Sequence, residues 1–402
     1  MKYSRQEVIQ FVREEDVAFV RLAFCDVFGK QKNISILPTE LDRAFTQGIP
    51  IDAEAIRGFG CMHYSQLVLI PDPDTLAILP WRPEHGRVVR MFCTIHYPDG
   101  ELFENDTRSI LINAIEAAKN AGYHFTFGTE MEFYLFKLDE NGEPTKIPYD
   151  KAGYLDIAPE DKGENVRREI CLTLEQMGIH PESSHHEEGP GQNEIDFCYA
   201  DALTSADNAM AFTTVVKAMA TRNGVYADFS PKPLDDKPGN GMHLNISVKG
   251  KDGSVPLESM IAGILSKIED ITLFLNPSES SYRRFGSFKA PEYISWSSRN
   301  CYPLIRIPSS YGNLKRAVVN SPDSTANPYI AYALLIYAGL YGITNNLQLP
   351  PATDTANISS EDLLKHYKRL PMSLNEAREK ALTSEFVAKH IPESLLQVYC
   401  NF

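Results

Sequence analysis

Apolar positions along this chain follow two periods, and the switches between them divide it into elements. After Ser4, the run SRQEVIQFVREEDV places Val8, Ile9, Phe11 and Val12 at helical spacing, with Ser4 and Glu7 in a capping-box arrangement, and predicts a short helix. VAFVRLAFCDVFGKQKNISIL then alternates on either side of a Phe-Gly-Lys turn, the pattern of a strand hairpin. Strand-like runs QLVLIPD, LAILPW and VVRMFCTIHY continue to about residue 97, and PDGELFENDTR reads as a linker into a helix over Ser109 to Ala121. This puts a first domain at 1–100 and a second at 101–402. In the second, helical patterns (NVRREICLTLEQMG, ADNAMAFTTVVKAMATRNG) alternate with polar-faced strands (GTEMEFYLF, QNEIDFCYA, YADFSPKP, GMHLNISVKG), and SLNEAREKALTSEFVAKHI predicts one or two further helices. The expected class is α+β, with an antiparallel sheet that turns one polar face to a cavity and packs helices on the other.

Composition narrows the function classes. The 402 residues are 43% hydrophobic and 23% charged, ordinary for a globular chain with a large core. A net charge of -14 argues against nucleic acid and anionic membranes as partners, while a local basic funnel could still take an anionic ligand. MKYSRQEVIQFVREEDVAFV breaks its apolar residues with charge too often for a signal peptide or a membrane span, so a cytoplasmic protein is expected. The seven cysteines (Cys25, Cys61, Cys93, Cys171, Cys198, Cys301 and Cys400) show no C-x-x-C spacing and read as small buried side chains, not as a disulfide framework or a zinc site.

The chemistry lies on the polar strand faces. In GTEMEFYLF, Glu130 and Glu132 are two apart and share a face, opposite Met131 and Phe133. Two carboxylates so close call for a cation. Glu187 and Glu194 flank a Gly-Pro-Gly turn in SHHEEGPGQNEIDF, and His243, Asn245 and Ser247 share one face of NGMHLNISV. Carboxylates with one imidazole are the donor set for Mg²⁺ or Mn²⁺. Arg283, Arg284, Arg299, Arg306, Lys315 and Arg316 form a cationic group suited to carboxylate or phosphate, and Arg306, between Ile305 and Ile307, has the setting of a pocket residue. Metal-binding carboxylates with arginines indicate metal-assisted phosphoryl transfer from a nucleotide, although no G-x-x-x-x-G-K-[ST] loop or kinase motif set is present.

Seven stretches, GTEMEFYLF, SSHHEEGPGQNEIDF, KPLDDKPGNGMHLNISV, NPSESSYRRFG, APEYISWSSRN, PLIRIP and SPDSTANPY, resemble in their order the motifs of class I glutamine synthetases, over nearly the whole chain. The resemblance implies a β-grasp domain, a catalytic domain with a curved antiparallel sheet and surrounding helices, and a ring whose active sites lie between neighbouring subunits. It also implies ATP-dependent phosphorylation of a glutamate-like carboxylate followed by attack of ammonia or an amine. By the same resemblance Glu132, Glu187 and Glu194 fall on a first metal site, and Glu130 and His243 on a second. Glu182, Asn245, Ser247 and Arg316 match positions around ATP, Arg306 a phosphate-binding arginine, Arg284 and Gly239 the glutamate site, and Asp52 (from the neighbouring subunit) and Tyr154 an ammonium site.

Several positions depart from the family pattern. Val318 stands for the third ligand of the second metal, Asn320 and Cys301 for arginines, Pro238 for an asparagine and Ala55 for a serine. Lys289 replaces a flap glutamate, in a flap one residue shorter. The tail that in double rings grips the opposite ring is cut short, so a single hexameric ring is expected. Two readings stand: a ligase with a changed acid or amine, and a catalytically impaired relative that binds nucleotide or metal, or regulates an active paralogue.

Overall fold

The computed structural model describes residues 3–60, 64–82, 85–299, 303–308, 315–353 and 367–401, built around two sheets. The chain opens with α1 (Arg5–Glu14), where Ser4 Oγ accepts the Glu7 amide at 3.3 Å and the Glu7 carboxylate accepts the Ser4 amide at 2.6 Å. This capping box fixes the first turn, and Val8 and Val12 point inward. The N-terminal sheet has the order β2-β1-β6-β4-β3, from β1 (Val17–Cys25), β2 (Gln31–Ile36), β3 (Ile49–Asp52), β4 (Gln66–Pro71) and β6 (Arg87–His96). Its central pair, β1 and β6, is parallel, and α2 (Leu41–Thr46) lies between β2 and β3 in sequence. LAILPW contributes only the two-residue β5 (Ala77–Ile78), paired to β6.

After α3 (Thr107–Asn120), the second sheet runs β13-β14-β15-β12-β7-β10-β9, with β8 (Pro144–Pro148) and β11 (Val225–Asp228) also paired to the long β7 (Tyr123–Leu138). The remaining strands are β9 (Pro181–His186), β10 (Gln192–Asp201), β12 (Met242–Gly250), β13 (Trp296–Ser297), β14 (Ile305–Arg306) and β15 (Ala317–Val319). All these pairings are antiparallel except β13 with β14. YADFSPKP pairs only as far as Asp228.

One face of this sheet is apolar. Met131, Phe133, Ile195, Phe197, Leu244 and Ile246 are buried there, and Phe133 and Phe197 meet Phe212 of α5 (Ala202–Arg222). α5 starts four residues before the apolar run suggested, because Asp201 caps it by accepting the Thr204 amide at 3.1 Å. α4 (Glu164–Gln176), α6 (Leu257–Leu275), α7 (Glu279–Tyr282) and α8 (Pro328–Thr344) follow. α8 is buried on nearly every side and so shows no amphipathic period in sequence. The segment SLNEAREKALTSEFVAKHI forms two helices, α9 (Leu374–Thr383) and α10 (Glu385–His390), and α11 (Glu393–Cys400) comes after them.

No helix among the described residues is long and apolar enough to cross a membrane. Of the cysteines, Cys25 and Cys93 are buried, Cys171 and Cys400 half-buried, and Cys198 is exposed; all five are free thiols. Cys61 and Cys301 lie outside the described residues.

Candidate functional site

Strand register assembles the polar face. Across β7 and β10, Glu132 pairs with Glu194 and Glu130 with Asp196; on the other side of β7, His243 of β12 pairs with Glu130 and Asn245 with Gly128. His185 of β9 pairs with Glu194, while Val318 of β15 pairs with both Asn245 and Arg306. Directly paired residues share a face, so two rows result: His185, Glu194, Glu132 and, beside it, Asp196, Glu130, His243.

The electrostatics of these rows are those of a cation site. Burial raises the Glu132 carboxyl above its usual range, and the Glu187 charge adds to this. Glu194 is pushed up strongly, by burial first and then by Glu132, Asp196 and Glu130. Asp196 is raised by burial and by Glu130. Glu130 is different: burial opposes its ionisation, yet His243 at 3.5 Å and the Asn245 amide at 2.6 Å hold it low. His243 is correspondingly raised, burial being outweighed by Glu130 and Glu132. A divalent cation would relieve the repulsion that raises three of these acids.

Among the described residues four groups of donors lie close enough to share an ion, each with its ligand atoms within 4.8 Å of one another: three on these rows (Glu132, Glu194 and His243; His185, Glu187 and Glu194; Glu130, Glu194 and Asp196) and a fourth, Asp150, Asp161 and His186, behind them. Oxygen donors with imidazole fit Mg²⁺ or Mn²⁺. Glu194 is shared by the three groups on the rows, and Glu132 and Glu187 each join it in one of them. The Glu187 carboxylate is turned to the Glu188 amide at 2.8 Å, to His185 at 3.4 Å and to Lys289 at 4.0 Å. Burial opposes its ionisation, and His185 and Lys289 outweigh burial and hold it below the usual range.

The turn that carries Glu187 is braced from below. His186 is fully buried; its Nδ1 lies 2.7 Å from the Glu187 carbonyl and its Nε2 2.9 Å from Asp150. Both partners accept, and Asp150 outweighs burial to raise the His186 pKa, which favours a ring that donates from both nitrogens. Asp150 also accepts the Gly191 amide at 2.9 Å, tying both ends of the turn to one carboxylate. Arg167 bridges Asp161 and Asn193 beside it.

Two small cavities flank the rows. One, of about 70 Å³, is lined by Glu130, Glu182, Asp196, Tyr199, Asn245 and Arg316. Asn245 Oδ1 and Arg316 Nε are buried there without a hydrogen-bond partner among the described residues, atoms left over for a ligand. Ser247 donates to the Lys315 carbonyl at 3.2 Å nearby. The other, of about 30 Å³, is lined by Glu132, Glu187, Gly239, His243, Arg284, Phe288 and Lys289 among others. Arg284 is buried and spends its terminal nitrogens on Asn240 O, Asn276 Oδ1 and Ser321 O at 2.7–3.1 Å. Gly239 has no room for a side chain: a Cβ would lie 2.4 Å from Pro231 O and 2.6 Å from Arg284 Cγ. A larger, mainly apolar cavity of about 830 Å³ against α6 shares no lining residue with either.

Lys289 closes the second cavity. Its ammonium is 2.8 Å from Glu188 and 4.9 Å from the centre of the Tyr154 ring, which also meets His185 edge-on at 5.5 Å. Its pKa is raised, because Glu188 and Glu187 outweigh its partial burial. Asp52 is exposed at the end of β3, accepts the Glu54 amide at 3.0 Å and lines neither cavity. Val318 is buried, and Asn320 Nδ2 donates to Pro303 O at 3.0 Å. Pro238 accepts the Tyr134 hydroxyl at 2.8 Å. Arg283 pairs with Asp235 at the surface, half exposed.

Sequence reasoning missed His185, His186, Asp150 and Asp196. Asp196 had a signal, since Glu194 and Asp196 repeat the two-residue spacing of Glu130 and Glu132. For Asp150, 36 positions before His186, no local pattern exists.

Comparison with known proteins identifies the family of this fold. Residues 16–98 match the family model described as glutamine synthetase, beta-Grasp domain, and residues 104–402 the one described as glutamine synthetase, catalytic domain. A glutamine synthetase of Clostridium saccharobutylicum is 42% identical, covering 97% of this chain and 93% of that protein. One of Methanosarcina mazei is 40% identical, covering 98% and 92%. Among solved structures, one described as "GmaS/ADP complex-Conformation 1" superposes with a TM-score of 0.89 at 25% identity, covering 98% of this chain and 94% of that one. With both family domains matched along nearly its whole length, the chain belongs to the class I glutamine synthetase family.

Proposed function

We propose that the protein is an ATP-dependent carboxylate-amine ligase acting on a glutamate-like acid. The observation that carries this reading is the register of β7, which sets Glu132 against Glu194 and Glu130 against His243 on one face. Such a charge cluster is costly to assemble without a ligand. Glu132, Glu187 and Glu194, with Glu130 and His243, would hold Mg²⁺ or Mn²⁺, which when bound neutralises phosphate charge during phosphoryl transfer. Arg306 and Arg316 add fixed positive charge for the phosphates; Glu182, Asn245 and Ser247 line the nucleotide side, and Arg284, Gly239 and Tyr154 the acid side. The γ-phosphoryl group passes to a carboxylate oxygen of the acid and ADP leaves. The amine nitrogen then attacks the acyl carbon, phosphate departs with the C–O bonding pair, and the amine loses a proton.

Asp52, exposed and outside its own chain's site, suits a role in the site of a neighbouring subunit, in a cytoplasmic homo-oligomeric ring whose chains divide near residue 100. A second reading has its own support. Lys289 sits on Glu188 and near Glu187, and Val318 replaces a donor on the face of Asn245 and Arg306, both features of a relative that binds nucleotide or metal with impaired turnover, or regulates an active paralogue. ADP release with Mg²⁺ or Mn²⁺, ATP and a panel of acids and amines tests the two. Release stimulated by one acid-amine pair supports the ligase; ATP binding without release under every pair rejects it for the second reading.

A further inference from the structure

A further cavity, of about 150 Å³, lies where the N-terminal sheet meets the catalytic domain, and its lining is one-sided in charge. Arg21 of β1 and Arg90 of β6 are direct partners in the parallel register, so their side chains leave the sheet on the same face as neighbours. Like charges placed this way repel. Gln31 and Asn33 of β2 join them on that face, and Trp81, Met177 and, from α5, Ala211 and Thr214 complete the wall with Leu79. No carboxylate of the described residues lines the cavity, in a chain whose net charge is -14.

The two guanidiniums are poorly compensated. Arg90 is only 7% exposed; its contacts are the Thr75 carbonyl at 3.4 Å and the face of Phe92 at 3.9 Å. Asp207, the acid nearest in effect, is already held by Arg108 through two hydrogen bonds and by the Tyr329 hydroxyl. Arg21 has no acidic partner among the described residues and feels the further positive charge of Arg82. Burial lowers the pKa of both arginines, that of Arg90 to about 10, and Arg82 adds to the lowering at Arg21. Gln31 spends its carbonyl oxygen on the Thr214 hydroxyl at 3.1 Å, which leaves its amide hydrogens for the cavity.

We infer that this cavity binds a compact oxyanion, phosphate or a small dicarboxylate, clamped by Arg21 and Arg90 with Gln31, Asn33 and the Trp81 indole as further donors. Planar guanidinium forks match both chemistries. The volume, worth about five waters, admits such an anion and excludes a nucleotide. Because β1, β2 and β6 supply one wall and α5 the other, the bound anion would fasten the N-terminal sheet to the helix that packs under β7 and β10. This site is separate from the carboxylate rows and does not depend on the ligase reading.

The test is calorimetric titration of the full chain with inorganic phosphate and, separately, with succinate, using the wild type, Arg306→Gln to weaken phosphate binding at the proposed active site, and Arg21→Gln. A saturable site that persists in Arg306→Gln and weakens about tenfold or more in Arg21→Gln is expected for at least one anion, and which anion it is identifies the ligand class. Arg21→Gln should also melt at an equal or higher temperature than the wild type without anion, since it removes a like-charge pair, and should lose the anion-dependent rise in melting temperature. No saturable binding of either anion to Arg306→Gln, or binding untouched by Arg21→Gln, overturns the proposal.

Discussion

At the scale of single residues, the carboxylates on β7 and β10 are set against one another and against the basic groups around them. Glu132 is raised by burial and by Glu187, so a cation beside it would favour its charged form. Glu132→Ala is expected to weaken Mn²⁺ binding by about tenfold to a hundredfold, as loss of one charge-assisted contact does, measured by electron paramagnetic resonance titration; unchanged affinity would reject the assignment. Lys289 would work against an ion held there. Its ammonium, on Glu188 and 4.0 Å from Glu187, would compete for a carboxylate of the proposed metal site and puts positive charge at the mouth of the cavity. Lys289→Glu is therefore expected to tighten Mn²⁺ binding and to raise ammonium-stimulated ADP release, and a fall in both would show that the lysine assists a different amine. The spacing of Glu130 and Glu132 was legible in sequence because period two is a property of the backbone. The shared role of Glu194 was not, since it follows from which strand lies beside β7.

At the scale of elements, close packing sets the limits. α6 and α8 cross where Gly263 and Gly342 meet; a Cβ on Gly342 would lie 2.0 Å from Ser259 O and 2.6 Å from Gly263 Cα. Neither neighbour is a flexible side-chain end, so the helices would have to part. Gly342→Ala should destabilise the fold by about 1–3 kcal/mol, read from chemical denaturation. The C-terminal helices add a pH dependence. His390, at the end of α10, stacks on Tyr337 of α8 at 3.8 Å, and burial, with the Lys389 charge, lowers its pKa to about 4. The unfolded chain binds this proton near pH 6.5, so the contribution is complete above that pH and is lost as pH falls from about 6.5 towards 4. His390→Phe should keep the stack and flatten that part of the stability profile, by about 1–2 kcal/mol once solvent screening is allowed for. A profile identical to the wild type would place the acid sensitivity elsewhere.

At the scale of the whole molecule, Asp52 lines neither active-site cavity of its own chain, and a ring that brings it to a neighbour is expected to be a hexamer; mass photometry of the purified protein should give six times the 45.1 kDa chain mass. A monomer at micromolar concentration would remove Asp52 from the site. The sequence by itself determined what is local or periodic: the capping box at Ser4, the β1–β2 hairpin, the amphipathic helices, the two-residue spacing of carboxylates on β7, and the family membership that ordered motifs carry. It did not show α8, whose apolar residues face every direction, nor the end of the β11 run at Asp228. Only the tertiary structure decided the pairing of Glu132 with Glu194 and of Glu130 with His243. It also decided the brace of Asp150 and His186 beneath Glu187, the lysine on Glu188, and the meeting of Arg21 and Arg90 on one sheet face. The reason is physical: periodicity fixes which way a side chain points along its own strand, but strand order and register, set by the burial of the opposite apolar face, fix what it meets.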